Sequence, residues 1–223
     1  YGEQLMIKVL LIGDSVRFHY QEEVRRLLGE EYSIVAPGEN CRFSAYVLNS
    51  LRFWLAEFPA VDVIHWNAGL WDAAILYHED GCFVSIEEYV SNMKKIMREL
   101  KKTGAKIIFA TTTPVNDAKK AFPGPMPPAH DNADISRYNK AVLKAFAEEP
   151  IFVNDLHSIM WEQRDSLLKD DMIHPNEEGS KVLGAAVAEA IKAVAVTCKC
   201  RVDGSKIPSN EKTFVKLEEA LIQ

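Results

Sequence analysis

Five short apolar runs punctuate the chain, and each is followed by a stretch whose apolar positions recur every three or four residues. The runs are Val9 to Ile12, Ser33 to Ala36, Val61 to Trp66, Lys106 to Thr111 and Ile151 to Asn154. Their Val and Ile content, without polar alternation, predicts strands buried on both faces. The helical period predicts helices over Gln21 to Leu28, Ala45 to Phe58, Ile86 to Lys102, Ile135 to Ala147 and Glu177 to Val194. In the last of these, Val182, Leu183, Ala186, Val187 and Ala190 fall on one face. Strand and helix alternating in this way make an α/β protein, with right-handed crossovers and a parallel sheet covered on both sides. Ligands in such sheets bind beyond the carboxyl ends of the strands, so residues that follow a strand are the first candidates for chemistry.

Two segments break the alternation. Pro114 to Asp134 contains Pro114, Pro123, Pro125, Pro127, Pro128 and Gly124, which no regular element accommodates; it is expected to be a loop over the carboxyl-end face, acting as a binding loop or lid. Beyond Val194, Gly204, Pro208, Ser209 and Asn210 precede a short predicted helix, Thr213 to Leu221, with Phe214, Leu217 and Leu221 on one face. The expected organisation is one domain over residues 1–194 and a C-terminal extension over 195–223. The extension would dock on the outer helices or contribute to a homodimer interface.

Composition narrows the partners. A chain of 223 residues with 48% hydrophobic content can bury one sizeable core. The net charge of -6, with lysines spread over predicted helix faces, excludes a phosphate-binding surface for nucleic acid. No apolar run approaches the roughly 18 residues of a membrane span, and no signal peptide is visible. Cys41, Cys82, Cys198 and Cys200 are too few and scattered for a disulfide framework. A reducing, cytoplasmic compartment is therefore expected, or secretion if a segment ahead of Tyr1 has been removed. Cys198-Lys199-Cys200 has no second ligand cluster to complete a metal site, so neither metal nor other cofactor is expected.

The candidate chemistry lies at opposite ends of the chain. The first strand ends on Gly13-Asp14-Ser15, and a late turn reads Asp171-Met172-Ile173-His174-Pro175. Pro175 keeps His174 out of a helix, and Asn176 is a good N-cap for the one that begins with Glu177 and Glu178. A serine hydroxyl is a poor nucleophile until an imidazole takes its proton and a carboxylate orients that imidazole. Ser15, His174 and Asp171 supply such a set; Asp14 is read as tying the turn, and Asp170 has the wrong spacing. Nucleotide-binding alternatives fail, because no glycine follows Gly13 before Gly29 and no Gly-Lys-Ser/Thr stands after a strand.

These motifs resemble those of the SGNH/GDSL hydrolases, single-domain serine esterases and acylhydrolases, over residues 7–194. The likeness rests on Gly13-Asp14-Ser15, on Asn67-Ala68-Gly69-Leu70 after the third strand, and on Asp171-x-x-His174-Pro175. The run Asp134-Ile135-Ser136-Arg137-Tyr138-Asn139 matches one that family members carry after an insertion. The resemblance implies a flavodoxin-like three-layer α/β/α sandwich with a five-stranded parallel sheet. It further implies that Ser15 is the nucleophile, His174 the general base and acid, and Asp171 its orienting carboxylate. The oxyanion donors it implies are the Asn67 amide, the Ser15 N–H and a third that the family takes from a glycine N–H. Aligned through Ser44, that third position falls on Cys41. His65 stands where the family has glycine, two residues before Asn67, and is expected to be a buried structural histidine. His19, His78, His130 and His157 have no assigned part.

Arg17, Tyr20, Trp66, Trp71, Asp72, Tyr77 and His78 follow or end the first and third strands, so some should rim the pocket; Arg17, Trp66, Trp71 and Tyr77 are the expected substrate contacts. Aromatics beside hydrogen-bonding groups suit a sugar ring, and no long apolar segment is present to hold a fatty chain. The expected substrate is therefore a small ester, an O-acetyl group on a carbohydrate. The alternatives are a lysophospholipase or thioesterase of short to medium acyl chains, and a non-catalytic carbohydrate-binding module on the same fold.

Overall fold

The computed structural model describes residues 6–76, 81–116 and 130–203, with backbone alone for 197–203. Within these, five strands form one parallel sheet: β1 (Ile7–Ile12), β2 (Tyr32–Val35), β3 (Val63–Trp66), β4 (Lys106–Ala110) and β5 (Phe152–Asn154), in the order β2-β1-β3-β4-β5. The chain leaves β1 to one side for β2 and returns to its other side for β3. That reversal opens a crevice beyond the ends of β1 and β3, where such folds place their chemistry. Leu10, Leu11, Ile12, Val63, Ile64 and Trp66 have no exposed surface, as unbroken apolar strands require.

Helix α1 (Ser15–Leu28) starts six residues before the position its periodicity predicts. The reason is Arg17, which is buried on the same stripe as Val16, Tyr20, Val24 and Leu28 and interrupts its apolar pattern. Helices α2 (Ser44–Glu57), α3 (Ile86–Lys101) and α4 (Asn132–Ala145) match their predicted positions closely. Two short helices, α5 (Leu156–Trp161) and α6 (Arg164–Leu167), were not anticipated; each is too short to show a helical period. Helix α7 spans Glu177–Asp203, so the expected domain boundary at Val194 falls inside it. The proposed Thr213 to Leu221 helix and most of the proline-rich segment, residues 117–129, lie outside the described residues.

Helices α1 and α7 pack together as one layer, while α2, α3 and α4 pack in series as another. The α1–α7 approach is close because of Gly184, where a Cβ would lie 2.6 Å from Glu23 Cγ. Trp66 fills the core between Phe109 and Phe146, with ring centroids 5.3 and 6.1 Å away. Among the described residues, no helix is long and apolar enough to cross a membrane.

Candidate active site

Ser15 is the first residue of α1, and Asp14 is its N-cap. The Asp14 carboxylate accepts the Val16 N–H at 2.9 Å, which fixes the sharp turn from β1 into the helix. This confirms Asp14 as a tie of the turn. The carboxyl itself is pushed above its ordinary value, burial outweighing the help of the Val16 N–H and of the nearby His174 and Arg17 charges. Ser15 thus presents its Oγ from a rigid position among the leading N–H groups of a helix, which lack intrahelical partners.

The late turn brings the histidine to the serine. Leu168 and Pro175 form an antiparallel bridge, the Lys169 N–H donates to the His174 carbonyl at 2.8 Å, and Met172 takes a positive φ of 71° at the tip. Asn176 accepts the Gly179 N–H at 3.0 Å and so caps α7. Within this frame Asp171 Oδ1 accepts the N–H groups of Ile173 and His174 at 3.0 and 2.9 Å. Asp171 Oδ2 lies 2.8 Å from His174 Nδ1, and His174 Nε2 lies 2.7 Å from Ser15 Oγ. A carboxylate at Nδ1 assigns the ring proton there and leaves Nε2 to accept from the serine. Partial burial alone would raise the Asp171 carboxyl, but the three hydrogen bonds from His174 and Ile173 hold it below its ordinary value.

Asn67 follows β3, its backbone N–H extending the ladder to the Ile12 carbonyl at 3.0 Å. Its amide donates one hydrogen to the Ala110 carbonyl at 2.7 Å and has Thr112 Oγ1 at 3.5 Å. The surroundings are tight. A side chain at Gly69, whose φ is +152°, would come within 2.4 Å of Thr112 Oγ1. Asn139, from the run preceding residue 140, grips Thr112 by its N–H and its carbonyl, both at 2.9 Å.

Several expected site residues lie elsewhere. Cys41 is fully buried, and its N–H already donates to the Gly13 carbonyl at 3.3 Å, so the third oxyanion donor assigned to it is corrected. Trp66 is a core residue and cannot touch substrate. Arg17 is 1% exposed and spends its guanidinium on the protein's own carbonyls. Arg17 and Trp66 turn inward, which a position at or after a strand end does not reveal. Trp71 is 37% exposed and remains available at the rim; Tyr77 and His78 lie outside the described residues. His65 is buried as expected, and burial pushes its imidazole down to about 3.

Two features escaped the sequence reading. The His19 ring lies 5.1 Å from that of His174, with Lys169 Nζ 3.4 Å from its Nδ1. The spacing of four from Ser15 would have placed His19 beside the site had α1 been started at Ser15. The second is the part played by Asp72, a candidate for the rim that is instead fully buried: it accepts the Ser44 N–H at 3.0 and 3.1 Å through its two oxygens and also the Ser44 hydroxyl. Helix α2 has no side-chain cap of its own from Phe43. Asp72 therefore caps it from 28 residues away, tying the segment before α2 to the segment after β3. No local spacing signals such a pair.

A cavity of about 10 Å³ lies beside the turn, lined in part by Gly13, Asp14, Asn67, Leu70 and Thr112. A larger cleft of about 410 Å³ sits between α4 and α5 and includes none of Ser15, Asp171 and His174 in its lining. Among the described residues no group of three or more His, Cys, Asp or Glu side chains is gathered as a metal site would need.

A hydrogen-bonded Ser–His–Asp series at the crevice of a parallel sheet is the equipment of a serine hydrolase. The GDSL-like Lipase/Acylhydrolase family matches residues 13–182, and the chain belongs to that family; it is an ester-cleaving hydrolase. No curated sequence matches the chain. Among solved structures, a lipase/acylhydrolase from Enterococcus faecalis is 22% identical, with a TM-score of 0.68 over 84% of this chain and 96% of that one. An acetylxylan esterase from Geobacillus stearothermophilus is 18% identical, with a TM-score of 0.65 over 85% of this chain and 96% of its own. An alpha/beta hydrolase from the metagenome of Lake Arreo, Spain, is 14% identical, with a TM-score of 0.67 over 86% and 99%. At these identities the likeness establishes the fold, a five-stranded parallel sheet flanked by helices.

Proposed function

We propose that this enzyme removes O-acetyl groups from a carbohydrate, using Ser15 as nucleophile, His174 as general base and acid, and Asp171 to hold the imidazole. The observation that carries the reading is the unbroken series from Ser15 Oγ to His174 Nε2 at 2.7 Å and from His174 Nδ1 to Asp171 Oδ2 at 2.8 Å. Ser15 Oγ attacks the ester carbonyl carbon while its proton passes to His174 Nε2, and the imidazolium that forms is stabilised by Asp171. The carbonyl oxygen becomes an oxyanion that takes the Ser15 N–H and the second amide hydrogen of Asn67, which exchanges its long 3.5 Å contact with Thr112 Oγ1 for the oxyanion. Collapse breaks the carbon–oxygen bond, and the leaving alcohol takes the proton from His174. A water, deprotonated by His174, then releases acetate and restores Ser15.

Support for a small acyl group comes from the close surroundings of Asn67, where a side chain at Gly69 would come within 2.4 Å of Thr112 Oγ1. The fold shared with an acetylxylan esterase, and Trp71 exposed at the rim, favour a sugar as the alcohol. The test is a chain-length series of chromogenic esters run beside acetylated oligosaccharides. Acetyl turnover is expected to exceed octanoyl turnover and to vanish in Ser15→Ala. Faster cleavage of octanoyl esters would replace this reading with a lipase- or thioesterase-like one, and equal activity in Ser15→Ala would end it.

A further inference from the structure

Arg17 is a fully buried cation that touches neither the carboxylates of the site nor bulk solvent. Four of its N–H groups are engaged. Nε donates to the Gly13 carbonyl at 3.3 Å, Nη2 to the carbonyls of Pro37 and Glu39 at 3.0 and 2.9 Å, and Nη1 to the Gln21 side chain. Three of these acceptors are main-chain carbonyls on two separate segments, the turn that carries Ser15 and the segment between β2 and α2. The side chain therefore joins the backbone that follows β1 to the backbone that follows β2.

Other bonds fasten segment 37–41, one to the same turn and two to α2. The Cys41 N–H donates to the same Gly13 carbonyl at 3.3 Å. The Glu39 carboxylate accepts from the Tyr46 hydroxyl and, at 3.1 Å, from Trp54 Nε1. Gly13 is part of the fit, because a Cβ there would lie 3.0 Å from Arg17 Cβ. The glycine that opens the Gly-Asp-Ser motif is thus a place kept clear for the Arg17 stem. Only a planar fork of donors spans three carbonyls in this way; an ammonium on a flexible stem reaches one or two.

We propose that Arg17 is a positioning residue for the reaction: it clamps segment 37–41 against the Gly13-Asp14-Ser15 turn and thereby sets the aim of Ser15 and its N–H. The proposal rests on the reading of Ser15 as nucleophile. The clamp acts on the peptide two residues before Ser15, so loosening it misplaces an oxyanion donor without altering contacts to the alcohol. The loss then falls on kcat and leaves KM in place.

The experiment measures covalent labelling by a fluorophosphonate, in which Ser15 Oγ bonds to phosphorus, fluoride leaves and the serine proton passes to His174. Thermal unfolding is followed in parallel. Arg17→Lys is expected to lower the labelling rate per folded molecule by about 100-fold, comparable to loss of an oxyanion donor. On a small ester its kcat falls by about the same factor while KM stays within about three-fold. Millimolar guanidinium is expected to restore part of the rate in Arg17→Ala and to leave the wild-type enzyme unchanged. A folded Arg17→Lys that labels at the wild-type rate overturns the proposal, as does a loss that matches its unfolded fraction. Should Arg17→Lys not fold, Gln21→Ala decides, since it removes only the side chain steadying Nη1: a several-fold loss supports the clamp and a wild-type rate overturns it. Failure of the wild-type enzyme to label at all removes Ser15 as nucleophile, and the proposal with it.

Discussion

Two side chains on neighbouring turns of the fold illustrate how one residue's surroundings decide its part. Asp171 and Asp14 are both near His174, yet Asp171 gathers three N–H donors from two residues while Asp14 has one oxygen with no partner. The first is held ionised and can orient the ring; the second is an anchor. Asp171→Asn should therefore lower kcat by roughly 1,000- to 10,000-fold with little change in KM, because an amide at Nδ1 permits the wrong tautomer. Steady-state kinetics on an acetyl ester check this, and a loss below ten-fold would show that Asp171 is not the orienting group. The motif was legible because the turn is local, with the aspartate, the two N–H groups and the ring all within four residues. Arg17 and Trp66 were misread as substrate contacts for the opposite reason. A position at a strand end is compatible with the crevice or the core, and only the packing of Phe109, Phe146 and the Pro37–Glu39 backbone decides.

At the scale of elements, the helices are tied into place by partners distant in sequence. Strands β1, β3 and β4 could be read directly, because burial on both faces demands unbroken apolar runs. The start of α1 could not, since its stripe includes a buried guanidinium, and the cap of α2 could not, since it arrives from Asp72. Removing that cap by Asp72→Ala leaves the Ser44 N–H and hydroxyl buried with one acceptor fewer. The expected loss is about 2 kcal/mol of unfolding free energy, measured by urea denaturation. Asp72→Asn, which retains an acceptor oxygen, is expected to lose less than half as much. If the two variants are equally stable, the cap contributes nothing beyond volume. Asn92, which donates to Ser44 Oγ at 3.2 Å, extends the same tie to α3.

For the whole molecule, buried ionisable groups make stability depend on pH in two opposed ways. His65 takes a hydrogen bond from Asn154 at 3.2 Å and stays neutral in the fold down to about 3, against an ordinary value of 6.5. The unfolded chain binds that proton first, so His65 contributes stability above pH 6.5 that is lost as the pH falls toward 3. Asp72 acts with the other sign. Its carboxyl is pushed up to about 6, chiefly by burial, so its contribution is greatest below its ordinary 3.8 and fades as the pH rises through 6. In His65→Leu the acid-side penalty should disappear. The stability advantage of the wild-type protein over that variant should shrink by roughly 1.4 kcal/mol per pH unit between about 6 and 4. Urea unfolding at pH 7, 6, 5 and 4 measures it, and parallel profiles would contradict the assignment. The hydrogen bond between Ser15 and His174 also spans the molecule, joining residues 159 apart in sequence. A ribosome makes the turn that carries His174 more than 150 residues after the turn that carries Ser15. Until that late turn has been synthesised and α7 has docked on α1, Ser15 lacks its hydrogen bond to His174. On the proposed mechanism, ester cleavage is thereby withheld from a growing chain until the second of these turns has been made and folded onto the first.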